Sequence, residues 1–241
     1  MQLPPVGTRV MIRYRLPVGS EPPLSDVVGH LIDDGRILRV RTKQGDTVDV
    51  RADDVVVLKA LPAKPVRTAD IRNVEHAAAL AWPGLEQRWV NGWLLRAAAG
   101  HTHRGNSAVP LGFEADASAL PTIADWYAER GLTPWLSVPD RLFRLIDVEP
   151  HLETVVMTSP LSPPPADSEV SLSSVPDSSW LHVYQRDVPV EVLTAVVDGE
   201  VQFGSIPGAA VGRAAVTVAP NGNRWVGLSA VRVSDAQRRR G

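Results

Sequence analysis

The residues best placed to do chemistry stand at the C-terminal end. An apolar run, Trp225 to Val233, leads straight into Arg238-Arg239-Arg240-Gly241. A glycine-containing loop that follows a strand and opens a helix presents backbone N–H groups to phosphate oxygens. Arginines in such a loop add charge-assisted hydrogen bonds. A strand that splays from its neighbour offers unpaired backbone groups to an amide-bearing ligand, as an added strand would. Arg238, Arg239, Arg240 and Gly241 are of the types such a loop would use. No catalytic base is assigned, because Trp225 to Val233 holds no carboxylate. Glu191, Asp198 and Glu200 are candidates by proximity in sequence and read as solvated helix or turn residues. His101-Thr102-His103 puts two imidazoles on one face of a strand, yet no third ligand stands at usable spacing, so no metal site is expected. Gly227-Leu228-Ser229-Ala230-Val231 lacks the last glycine of a nucleophile elbow and reads as strand. Trp82, Trp89, Trp93 and Trp126 are expected to pack a core between lobes.

These residues need elements to position them. Residues 1–60 alternate apolar and polar side chains in short runs separated by turn signals, Asp33-Asp34-Gly35 and Gln44-Gly45-Asp46 among them. In Thr8 to Arg15, for example, Val10, Ile12 and Tyr14 share one face. About five strands with no helix signal describe a small barrel of SH3-like type. Residues 61–67, with Pro62 and Pro65, form a stiff linker. Thr68 is placed to cap a helix carrying Ile71, Val74, Ala78 and Ala81, stopped by Pro83-Gly84. A hairpin over Arg88 to Ala97 turns at Asn91-Gly92, and Asn106 to Leu111 is a further strand. A second helix carries Leu120, Ile123, Ala124 and Tyr127, with Gly131 closing it. Trp135 to Val138 is expected as strand, Arg141 to Ile146 as short helix and Glu153 to Thr158 as strand. Ser159 to Ser178, with Pro163-Pro164-Pro165, reads as a flexible connection. Trp180 to Tyr184 is expected as strand. A helix from near Asp187 to Gly199 and three strands follow, Val201 to Ile206, Val211 to Val218 and Arg224 to Val233.

Composition narrows the class. The chain has 241 residues with 44% hydrophobic and 22% charged side chains, enough to bury a core. A formal charge of −2 argues against a dedicated nucleic-acid binder. Residues 1–66 hold 10 basic and 8 acidic side chains, so the first domain is not committed to nucleic acid either. An intramolecular or homodimer-forming role is its expected one. The absence of cysteine excludes disulfides and thiolate chemistry and fits a reducing cytoplasm. No stretch has the length of uncharged apolar residues that a membrane span needs.

The C-terminal end resembles the GNAT superfamily of acetyl-CoA-dependent N-acetyltransferases. Their central strand ends in Val-x-Val before a loop of form [Arg/Gln]-x-x-Gly-x-[Gly/Ala]. Val231-Arg232-Val233 matches the strand end, and Arg238-x-x-Gly241 matches the first four loop positions, so the resemblance implies that Val231, Arg232, Val233, Arg238, Arg239, Arg240 and Gly241 bind the cofactor. Gly92-Trp93-Leu94-Leu95-Arg96 and Arg104-Gly105-Asn106-Ser107 are similar to bacterial GNAT proteins with an extra N-terminal lobe. A small barrel ahead of such a domain is similar to a mycobacterial, actinobacterial type. The resemblance implies an α+β chain: an SH3-like barrel over 1–60, the linker over 61–67 and a GNAT-like N-terminal lobe over 68–160. The connection over 161–178 and the first half of an acetyl-CoA-binding lobe over 179–241 complete it, in a mixed α/β domain with a largely antiparallel sheet. It implies transfer of an acetyl group from acetyl-CoA to a primary amine, with a strand N–H near Val231 polarising the thioester oxygen. The second half of that fold, with its usual tyrosine acid, would follow Gly241, so the chain is expected to be cut within its pyrophosphate loop. The competing expectation is a non-catalytic binding module that uses the barrel, with the GNAT half as scaffold.

Overall fold

The computed structural model describes residues 3–62, 66–145, 149–161 and 169–238. The chain forms two compact units, Met1–Val66 and Arg67–Gly241. The first is one antiparallel sheet of β1 (Arg9–Arg15), β2 (Leu24–Asp34), β3 (Ile37–Thr42), β4 (Thr47–Arg51) and β5 (Val55–Ala60), in the order β4-β3-β2-β1-β5. Alternation decides which face is apolar. Val10, Ile12, Leu31, Leu38 and Val40 are fully buried on one side. On the other, Arg13 and Arg39 pair with Asp26 and Asp49 on neighbouring strands.

The second unit has two sheets sharing one helix, α1 (Thr68–Ala81). The first sheet orders β6 (Glu86–Val90), β7 (Trp93–Ala97), β8 (Ser107–Pro110) and β9 (Trp135–Leu136) in sequence. Asn91 and Gly92 both take positive φ in the β6–β7 turn, a conformation this pair adopts at little cost. Strand β9 runs parallel to β8 because α2 (Leu120–Ala128) carries the chain back between them. Strand β7 is buried along its whole length. Trp93, Leu95 and Ala97 pack against Ile123, Trp126 and Tyr127 of α2, while Leu94 meets Ala79 of α1.

The second sheet is antiparallel, β10 (Ser171–Ser173), β11 (Glu200–Ile206), β12 (Ala210–Val218) and β13 (Arg224–Val233) in that order. Two short helices, α3 (Ser178–Tyr184) and α4 (Val190–Thr194), precede β11. Trp180 and Tyr184 of α3 cluster with Phe203, Val211 and Leu193. Helix α1 contacts this sheet through small residues. Thr217 donates its hydroxyl to the Ala77 carbonyl at 2.9 Å, and Gly227 faces Ala81. The architecture is thus α+β and largely antiparallel. Among the described residues, no helix is long and apolar enough to cross a membrane.

Several expected elements differ. Trp180 to Tyr184 is helix rather than strand. The Asp177 carboxylate accepts the Trp180 N–H at 2.8 Å and caps it, and a helix puts Trp180 and Tyr184 on one buried face. Arg67, not Thr68, is the N-cap of α1, and no side chain caps that helix. Residues 141–145 form no helix, since Arg141 has φ +71°, and Ile146 lies outside the described residues. Glu153 to Thr158 has no strand partner and stays irregular. The helix expected from Asp187 to Gly199 is confined to α4, which ends where Ala195 turns to extended backbone (φ −63°, ψ 130°). Part of the expected flexible connection is strand β10, paired with β11, while residues 162–168 lie outside the described ones. Trp89 is 52% exposed rather than core, because β6 is an edge strand.

Phe203 is fully buried with its ring 5.2 Å from that of Trp180. Phe203→Ala is expected to cost about 3–5 kcal/mol. Urea unfolding followed by tryptophan fluorescence checks this, since all 7 tryptophans lie in the second unit.

Candidate active site

Strand β13 is the edge of its sheet, and its end is bulged. Arg213 pairs with Ser229 and Val211 with Arg232, so Ala230 and Val231 together oppose the single residue Gly212. Ala230 takes φ +50° there. A bulge of this kind breaks the ladder locally and turns backbone groups away from the neighbouring strand. Val231 is 65% exposed.

The predicted ligand-binding residues divide into groups. Val231 lies at the bulge, open to solvent. Arg232 donates to the Gln185 side-chain oxygen at 2.6 Å, at the end of α3. It is held against the fold rather than presented beyond the strand. Val233 and Arg238 are joined, the Arg238 Nε–H donating to the Val233 carbonyl at 3.2 Å. Arg238 also pairs with Asp235 at 3.2 Å, across a turn of 3₁₀ helix. Arg239, Arg240 and Gly241 lie outside the described residues. Glu191, Asp198 and Glu200 are all exposed.

The face of this sheet opposite α1 is apolar and open. Leu228, at 75% exposure, pairs with Ala214, Val226 pairs with Val216, and Leu172 of β10 is also exposed.

Sequence reasoning missed two buried arginines. Arg213 donates from Nε to the Leu193 carbonyl at 2.5 Å, from Nη2 to the Ala195 carbonyl at 2.7 Å and from Nη1 to Ser229 Oγ at 3.3 Å. Its guanidinium lies 4.7 Å from the Trp82 ring centre. Arg96 donates to the Ser107 carbonyl and the Trp82 carbonyl, each at 3.3 Å, and to Ser107 Oγ at 2.9 Å. Burial pushes both guanidinium groups down to about 10, so both remain cations at neutral pH. The Tyr127 hydroxyl donates to the Arg96 carbonyl at 2.9 Å, and burial pushes it up to about 12. The signal for Arg96 was an arginine inside an otherwise apolar five-residue strand, Trp93 to Ala97.

Beside Arg96 is a cavity of about 40 Å³ that Glu75 and Arg104 also line. Burial raises the Glu75 carboxyl above its usual range, while Arg104 and Arg96 pull it back. The two histidines separate. His101 Nδ1 meets the Asp187 carbonyl at 2.9 Å, while the His103 ring lies 4.9 Å from Trp135. Among the described residues, no group of three or more His, Cys, Asp or Glu is placed to hold a metal ion.

Residues 68–241 match the family described as "Probable histone acetyltransferase Rv0428c C-terminal". Residues 4–59 match "Rv0428c N-terminal Sm-like domain". The chain is similar to the "Probable histone acetyltransferase Rv0428c" of Mycobacterium tuberculosis (strain ATCC 25618 / H37Rv). The two are 50% identical over 235 residues, covering 97% of this chain and 78% of that protein. No solved structure matches the chain. Residues 4–59 and 68–241 thus match the N-terminal and C-terminal family models in that order, and the chain belongs to the Rv0428c family.

Proposed function

We propose that the protein is an N-acetyltransferase of GNAT type, moving an acetyl group from acetyl-CoA to a primary amine. The observation that carries the reading is the bulged edge strand β13, ending in Val231-Arg232-Val233 and tied by a hydrogen bond to Arg238. The relative's name, a probable histone acetyltransferase, supports the same chemistry.

The fit is one of donors. An edge strand with a bulge leaves backbone N–H and C=O groups free for the amides of an extended ligand arm. The Val231 N–H, beside the bulge, is the candidate donor to an oxyanion. Arg238, with Arg239 and Arg240, supplies positive charge for phosphates. In the reaction, the amine nitrogen bonds to the acyl carbon and the carbon–sulfur bond breaks. One proton leaves nitrogen and one is taken up by the thiolate. The neutral amine is the attacking form, so holding it deprotonated is part of the protein's task. We read the N-terminal unit as a small SH3-like barrel; its five strands and single apolar core support this.

The test is acetyl transfer by the natural gene product, with acetyl-CoA and a panel of primary amines, read by mass spectrometry. Val231→Pro removes the N–H at an edge position that tolerates proline. It is expected to lower kcat about 10²-fold or more, with the circular dichroism unchanged. Arg238→Ala is expected to weaken acetyl-CoA binding about tenfold. Absence of both acetyl-CoA binding and acetylated amine would overturn the proposal.

A further inference from the structure

The cavity beside Arg96 lies between α1 and the β7–β8 strands and has no part in the site on β13. Its polar lining is Glu75 from α1, Arg96 from β7, Arg104, Ser137 and Thr154. Val109 contributes an apolar wall.

The charges in this cavity face one another without direct contact. Among the described residues, the Glu75 carboxylate and the Arg104 guanidinium have no hydrogen-bond or ion-pair partner. Arg96 is 3% exposed, and its three bonds go to carbonyl and hydroxyl oxygens, none to a carboxylate. Glu75 is the opposite charge nearest Arg96 and Arg104, yet it makes no direct hydrogen bond or ion pair with either, so a group placed between them would meet all three.

The arrangement selects the ligand's charge. Two guanidinium groups call for an anion, and Glu75 calls for a cation. A simple anion would meet Glu75 unpaired. A simple amine would meet two arginines. A ligand that carries an ammonium and a carboxylate on one carbon meets all three groups. The volume, about 40 Å³, holds roughly three waters. That is room for an ammonium and a carboxylate on one carbon, with the rest of the molecule towards the opening.

We infer that this cavity binds the head group of a free α-amino acid, its carboxylate on Arg96 and Arg104 and its ammonium on Glu75. The assignment concerns binding alone. It stands or falls separately from acetyl transfer, since no acetyl-CoA enters its test.

The experiment is isothermal titration of the natural protein with the common free amino acids, then with two derivatives of whichever binds. The methyl ester lacks the carboxylate, and the N-acetyl form lacks the ammonium. At least one amino acid is expected to bind, and both derivatives at least about tenfold more weakly. Glu75→Gln keeps the shape of the side chain, and Arg104 is exposed, so neither Glu75→Gln nor Arg104→Ala threatens the fold. Each is expected to weaken binding about tenfold. The inference is overturned if no amino acid binds, if either derivative binds equally well, or if neither substitution changes the affinity.

Discussion

Trp82 is the residue on which the second unit depends. It follows α1, and a buried arginine approaches it from each sheet. Arg96 of β7 bonds its carbonyl at 3.3 Å, and Arg213 of β12 lies over its ring at 4.7 Å. Its indole N–H donates to Thr102 Oγ1 at 3.1 Å, and the ring itself belongs to the cluster around Trp180 and Phe203. A desolvated cation over an indole contributes about 2 kcal/mol. The larger effect is register. Arg213 also reaches Ser229, next to the bulge, while Arg96 lines the cavity. One tryptophan therefore links the open strand to the charged pocket.

The rest follows from close approach. Ala77, Ala79 and Ala81 are all buried, and alanine lets α1 sit near a sheet on either side. Thr217 takes the Ala77 carbonyl, Gly227 leaves space for Ala81, and Leu94 packs on Ala79. Larger side chains there would push the sheets apart and break both arginine contacts. The second sheet then has α1, α3 and α4 on one face only. Its other face, with Leu228, Val226 and Leu172, is apolar and exposed.

The strands were the legible part, because their apolar period of two is set by burial of one face. Val10, Ile12 and Tyr14 show it in the first unit, and Val211 to Val218 in the second. Trp180 to Tyr184 misled because five bulky residues suit a strand as well as a helix. The deciding residue was Asp177, whose carboxylate caps the helix. The bulge at Ala230 and Val231 was illegible, since it depends on how β13 meets Gly212 rather than on its own residues. Glu75 sits on an amphipathic helix and reads there as a solvated charge. Only the fold places it beside Arg96 and Arg104. The partner of Arg232 was equally illegible, since Gln185 reaches it from the end of α3, distant in sequence.

The central claim is that Trp82 couples the two sheets. Amide hydrogen exchange on Trp82→Leu tests it most directly. The account predicts faster exchange both in β7, around Arg96, and in β13, around Ser229 and Val231. Faster exchange confined to the end of α1, with both strands as protected as in the unaltered protein, would contradict it.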